Sequence, residues 1–318
     1  MDYLLLIVGF ILLIKGADIF VDGASSIAKK IGIPSVIVGL TIVSIGTSAP
    51  ELAVSLISAL NGSNDITIGN VLGSNIFNTL VVLGGTAVVS PIIFKKITIK
   101  RDFIVNILIA SLVCVLTFAI SFGGDNTISR FEGILLFAIC IVYMYVLVRA
   151  SRKESSKDED YKDINIFKNI LLSIVGVAGI VIGGNLVVDS ASNIALTLGM
   201  SEKLVGLTIV SIGTSLPELV TSIVAALKGE NEIALGNVLG SNIFNLVLIL
   251  GTSAAISPIM VSGSLIIDFI FLIAVTLFIG VLIFFINRKS DTKKITRFEG
   301  MIFVLLYVGY LVYIIMRN

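Results

Sequence analysis

Residues 39–52 of this chain, GLTIVSIGTSAPEL, return at 206–219 as GLTIVSIGTSLPEL, with only Ala49 exchanged for Leu216. At the same offset of 167 residues, GNVLGSNIFN at 69–78 returns unchanged at 236–245, SPI at 90–92 returns at 257–259, and RFEG at 130–133 returns at 297–300. The chain is two copies of one plan. Each copy sets a glutamate, Glu51 or Glu218, inside an apolar segment. A carboxylate at the centre of a bilayer costs about 2.5–3.5 kcal/mol or more, so it is retained for a use. A matched pair of them in two halves points to an ion-transport site built on an internal two-fold axis.

Composition identifies the solvent. The chain is 56% hydrophobic and 14% charged, against roughly a quarter charged in soluble domains. Its charges crowd into short stretches between long apolar runs, the pattern of a helical membrane protein. A net charge of +1 gives no basic footprint for nucleic acid. The absence of histidine removes the usual proton shuttle and the commonest transition-metal ligand. It also argues against an enzyme: an intramembrane hydrolase acting through Ser48 or Ser215 would have neither a histidine nor a nearby lysine as base. Cys114 and Cys140 lie in apolar runs and read as helix-packing residues.

Ten apolar segments follow, at about 2–21, 34–60, 66–89, 103–122, 130–149, 166–187, 203–228, 232–256, 265–286 and 296–316, most near the roughly 20 residues a spanning helix needs. The first lacks a basic leader and a cleavage site, and is expected as a membrane helix. Segments 2 and 7 are interrupted by Pro50 and Pro217, as broken helices would be. Five spans per half is an odd number, so the halves must enter the membrane from opposite sides. The expected fold is therefore an all-α polytopic protein of ten helices in two inverted five-helix repeats, residues 1–150 and 166–318, joined by a cytoplasmic linker at 151–165. With both termini on the outer side of the plasma (inner) membrane, 18 of the 22 basic residues fall inside, in keeping with the positive-inside rule.

Spacings of three and four place Ser44, Thr47, Ser48 and Glu51 on one helical face. Pro50 removes a backbone donor and Gly46 loosens the turn, which frees carbonyls near Ile45, Gly46 and Thr47. Ser211, Thr214, Ser215, Pro217 and Glu218 repeat the arrangement. The second motif supplies Asn70, Ser74 and Asn78, with Asn237, Ser241 and Asn245 as counterparts. Its Gly69/Gly73 and Gly236/Gly240 steps allow close helix approach. Together these segments offer two carboxylates among hydroxyl, amide and carbonyl oxygens, which suits hard cations such as Ca²⁺. Two glutamates balance one Ca²⁺ or two Na⁺. Ser25, Ser58 and Thr86, taken singly, read as packing residues. Asp18 and Asp22 read as interface charges near the end of the first helix, and Arg130/Glu132 and Arg297/Glu299 as helix-start charges.

GTSAPEL at 46–52, GTSLPEL at 213–219 and the two GNVLGSNIFN stretches resemble the α-repeats of the cation/Ca²⁺ antiporters, and among them the prokaryotic sodium/calcium exchangers. The resemblance implies an electrogenic antiporter that exchanges Na⁺ for Ca²⁺ by alternating access; the motif-free, glycine-rich first spans of each half, helices 1 and 6, are expected to slide as its gate. It implies a central Ca²⁺ site of Glu51, Glu218, Thr47 and Thr214. Na⁺ sites would draw on Ser48, Ser215, Ser74, Ser241, Ser44 and Ser211, with Asn78 and Asn245 lining the centre. No cofactor is implied; the partners are the transported Na⁺ and Ca²⁺ and the lipid bilayer, and the expected unit is a monomer. Asn245 stands where potassium-dependent members carry Asp, which resembles the potassium-independent branch and argues against K⁺ co-transport; the alternative reading is a K⁺-dependent or Ca²⁺/H⁺ antiporter.

Overall fold

The structure is a computed structural model that describes residues 1–120, 126–154, 165–199, 211–285 and 292–317. It is a helical membrane protein. Eight helices among the described residues are long and apolar enough to cross a bilayer. These are α1 (Asp2–Ile31), α4 (Asn64–Val89), α5 (Ile99–Ile120), α6 (Arg130–Glu154), α7 (Ile166–Thr197), α9 (Asn231–Ile256), α10 (Ile266–Phe285) and α11 (Arg297–Arg317). Between α1 and α4, a bent pair forms the second apolar segment: α2 (Ser35–Thr47) meets α3 (Ala49–Leu60) at 50°. The seventh segment has its described part in a turn at Ser211–Gly213 and the apolar helix α8 (Leu216–Leu227). Residues 203–210, predicted as its beginning, lie outside the described residues, as do Lys203, most of the 151–165 linker, and Arg288.

The chain breaks two residues before the proline. The kink lies at Ser48, and Pro50 occupies the second position of α3, where its missing N–H would be unpaired anyway. Pro217 sits identically in α8. Both short helices end just before a glycine in the left-handed conformation, Gly62 at φ 73° and Gly229 at φ 80°. Past Asn78 and past Asn245, α4 and α9 widen into π turns at Asn78–Val82 and Asn245–Ile249, a distortion frequent at functional sites. Of the eight spans among the described residues, these two are the most enclosed. Large apolar side chains on α1, α6, α7 and α11, such as Ile7, Ile141, Ile174 and Leu305, face outward, as a lipid-facing belt requires.

Contacts between the halves recur under the 167-residue offset. Helices α1 and α7 run antiparallel with backbones nearly touching: a Cβ added to Gly16 would lie 2.8 Å from the Gly176 carbonyl oxygen, and one added to Gly183 would lie 2.7 Å from that of Gly9. Gly9 and Gly176 are counterparts, and so are Gly16 and Gly183. In the same way Gly84 packs on Gly300, and Gly133 on Gly251. Two short antiparallel ribbons, which the sequence did not suggest, join β1 (Ile92–Lys95) to β4 (Thr292–Ile295) and β2 (Thr127–Ile128) to β3 (Ile259–Met260). Their registers, Ile92 opposite Ile295 and Ile128 opposite Ile259, are counterparts as well. The predicted helix-start role of Glu132 and Glu299 holds: each carboxylate accepts from the backbone N–H three residues earlier, at Ser129 and Thr296, both at 2.7 Å.

Candidate ion-binding site

The two interruptions, one at Ser48 and one at Ser215, meet in the middle of the bundle. Each serine donates to the glutamate of the other half: Ser48 Oγ to Glu218 Oε1 at 2.8 Å and Ser215 Oγ to Glu51 Oε1 at 3.0 Å. Both glutamates are fully buried. Their second oxygens, Oε2 of Glu51 and of Glu218, have no hydrogen-bond partner among the described residues. Pro50 leaves the Gly46 carbonyl without its i+4 amide, and Pro217 does the same for Gly213. Buried carboxylate oxygens without partners are costly unless a charge answers them.

The second motif reaches the same segments through Asn70, Asn237 and Ser241. Ser74 Oγ, both amide atoms of Asn78 and Asn245 Oδ1 are buried and unpartnered among the described residues. Ser241 Oγ lies 3.1 Å from Ser48 Oγ. Thr47 Oγ donates to Asn237 Oδ1 at 3.1 Å, and Thr214 Oγ to Asn70 Oδ1 at 3.4 Å. Ser44 is fully buried and donates to the Thr41 carbonyl at 3.3 Å. The side chain of Ser211 lies outside the described residues, so the Ser44 counterpart stays an expectation. The remaining predicted site residues, Glu51, Glu218, Thr47, Thr214, Ser48, Ser215, Ser74, Ser241, Asn78 and Asn245, are all buried; hydrogen bonds join Ser48, Ser215, Ser241 and the two glutamates directly, and Thr47 and Thr214 through Asn237 and Asn70. The donor set is all oxygen apart from the amide nitrogens, which fits a hard cation.

Some polar residues carried no signal in the sequence. Asn75 and Asn242 lie off the row of Asn70, Ser74 and Asn78, yet they meet across the molecule. Asn75 Nδ2 donates to the Asn242 carbonyl at 3.1 Å, and Asn245 Nδ2 donates to Asn75 Oδ1 at 3.0 Å. Away from the centre, Tyr143 donates to buried Asp102 and Tyr310 to buried Asp268, at 3.1 and 2.9 Å. Arg101 and Arg317 pair with these aspartates, so they anchor helices and leave no free carboxylate for an ion. Of the predicted close-packing glycines, Gly236 and Gly240 lie against Val36, Leu40 and Ser44. Gly69 has no such neighbour among the described residues. The α2 counterpart, at 203–211, falls largely outside them.

Known proteins resemble this arrangement over nearly its whole length. The family model described as sodium/calcium exchanger protein matches residues 1–149 and 168–316. A putative antiporter, CaxA, of Alkalimonas amylolytica is 38% identical over 96% of this chain and 95% of its own. The sodium/calcium exchanger MaX1 of Methanosarcina acetivorans is 35% identical over 98% and 97%. A solved structure of the sodium/calcium exchanger from Methanococcus jannaschii superposes with a TM-score of 0.83 at 29% identity, covering 98% of this chain and 97% of that one.

Proposed function

This chain belongs to the sodium/calcium exchanger protein family, and from that premise we propose that it exchanges Na⁺ for Ca²⁺ across the membrane as a secondary active antiporter. The observation that carries the reading is the pair of buried glutamates. Each has one oxygen held by a serine of the opposite half and the other unpartnered among the described residues. Two negative charges among neutral oxygens match one Ca²⁺ or two Na⁺, so the two ions compete for one cage.

The site consists of Glu51, Glu218, Thr47 and Thr214 around Ca²⁺. Ser44, Ser48, Ser74, Ser211, Ser215 and Ser241 serve Na⁺, and Asn78 and Asn245 line the centre. The architecture is ten spans in two inverted repeats, 1–150 and 166–318, about a linker at 151–165. Reciprocal contacts at the 167-residue offset support it, as does a family model that matches the two halves as separate stretches. Both termini face outward, as the distribution of lysine and arginine favours. Helices α1 and α7 slide together across a filled cage, while uncompensated carboxylates oppose the crossing of an empty one. If three Na⁺ pass for each Ca²⁺, every cycle moves one charge.

Reconstituted protein should take up ⁴⁵Ca²⁺ when an outward Na⁺ gradient is imposed, at a rate that an imposed membrane potential alters. The Glu51→Gln/Glu218→Gln double variant should abolish uptake. Undiminished transport in that variant would sink the reading.

A further inference from the structure

The opposite half grips each motif glutamate twice, and the second grip runs through an asparagine. Ser215 Oγ donates to the Glu51 carboxylate, and the residue before it, Thr214, donates to Asn70 Oδ1 at 3.4 Å. Asn70 Nδ2 in turn donates to the main-chain carbonyl of Glu51 at 3.1 Å and to Ser55 Oγ at 2.8 Å. The counterpart circuit is complete. Thr47 Oγ, which also lies 3.1 Å from the Val43 carbonyl oxygen and 3.3 Å from that of Ser44, reaches Asn237 Oδ1 at 3.1 Å, and Asn237 Nδ2 donates to the Glu218 carbonyl at 3.3 Å and to Ser222 Oγ at 3.0 Å. Each asparagine commits both amide hydrogens to its own half and its oxygen to the other.

That commitment separates two residues of one helical row. Asn78 keeps both its amide atoms unpartnered among the described residues and can turn its oxygen to an ion. The Asn70 oxygen already accepts a hydroxyl. We propose that Asn70 and Asn237 are positioning residues that set the two glutamates in register across the halves. An ion drawn to one carboxylate thereby tightens the other. Only a primary amide supplies two donors and an acceptor on one short side chain. Leucine supplies neither, and a valine at Thr214 leaves the asparagine oxygen without its donor. The proposal rests on the exchange reading above.

The test measures equilibrium ⁴⁵Ca²⁺ binding to the purified full chain beside Na⁺-driven uptake, in wild type, Asn70→Leu, Thr214→Val, Thr214→Ser and the Asn70→Leu/Thr214→Val pair. Losing these bonds should raise the Ca²⁺ half-saturation of Asn70→Leu about tenfold, with the maximal rate changed about twofold at most. Thr214→Val should lose about threefold, and Thr214→Ser, which keeps the hydroxyl, should lose less than Thr214→Val. The pair should be no worse than Asn70→Leu alone, as residues in one circuit couple. Effects that multiply in the pair would overturn the positioning role while wild-type exchange stands. Should Asn70→Leu fail to fold, equal affinities of Thr214→Val and Thr214→Ser would overturn it alone. A wild-type chain without Na⁺-driven uptake would remove the exchange reading, and this proposal with it.

Discussion

At the scale of residues, the molecule rests on two serine hydroxyls that cross between halves. A hydrogen bond to a charged group contributes about 1.5–3 kcal/mol, so Ser215→Ala should weaken Ca²⁺ half-saturation by about tenfold or more. Ser48→Ala should cost more, because Ser48 also lies 3.1 Å from the Ser241 hydroxyl. The Ser74 hydroxyl, in the position equivalent to Ser241, has no partner among the described residues. Equal losses in the two variants, measured as ⁴⁵Ca²⁺ affinity, would deny that asymmetry. Glu51 and Glu218 were legible in the sequence because a carboxylate in an apolar run is too costly to keep without a use. The crossing was not legible. Helical spacing puts Ser48 and Glu51 on one face, and a reader of that face alone would pair them with each other. Asn75 and Asn242 were silent for a related reason, since their partners lie on a different helix in the other half.

At the scale of elements, glycine sets how closely α1 and α7 pack. A methyl group on Gly183 would meet the Leu13 backbone nitrogen at 2.5 Å and the Gly9 carbonyl oxygen at 2.7 Å. Backbone cannot swing aside as a side chain can. Gly183→Ala should therefore destabilise the protein by about 1–3 kcal/mol, lowering its melting temperature in detergent by several degrees. Gly309→Ala is the control, because nothing among the described residues lies within 4 Å of that position, and helix propensity alone makes it neutral or slightly stabilising. A similar drop in both variants would show that the close packing contributes nothing. Hydropathy ended the first helix near residue 21, whereas α1 runs to Ile31. The last ten residues carry Asp22, Ser25 and Lys29, whose polar side chains bond to the turn at 228–230. An apolar run marks where a helix faces lipid, and it stops short where the helix turns polar groups to a partner.

At the scale of the whole molecule, the proposed alternation between two access states would be evenly balanced by two similar halves unless something breaks the two-fold relation. The turn after α8 does so. Lys228 Nζ lies 2.7 Å from carboxylate oxygens of both Asp18 and Asp22, and Lys29 Nζ lies 2.7 Å from Glu230 Oε1. In the other copy, Asn61 and Ser63 stand where Lys228 and Glu230 do, and Asn185 and Leu196 where Asp18 and Lys29 do. Asp189 on α7 is the counterpart of Asp22, but with Asn61 and Ser63 in the facing turn these pairs have no counterpart there, so it is the end of α1 that is clasped in this way. Such partly exposed pairs contribute about 0.2–1 kcal/mol each. Three of them would favour a state that keeps this clasp over one that opens it by about three- to 160-fold. Lys228→Asn with Glu230→Ser makes the turn match its counterpart and should release that bias. A cysteine placed at Thr221, fully buried between Glu218 and this turn, should then react correspondingly faster with a small thiol reagent. Choline chloride, which screens the pairs without supplying Na⁺, should move the wild type part of the way. Acid should do little. Burial pushes the Glu230 carboxyl up, but the Lys29 ammonium and the Ser25 hydroxyl outweigh it and hold it below its ordinary 4.5. On the acid side the clasp therefore holds down to the ordinary carboxylate range and loosens only as pH falls through the lowered value. Unchanged labelling in the double variant would mean that the ion pairs decorate the surface and the two states are balanced elsewhere.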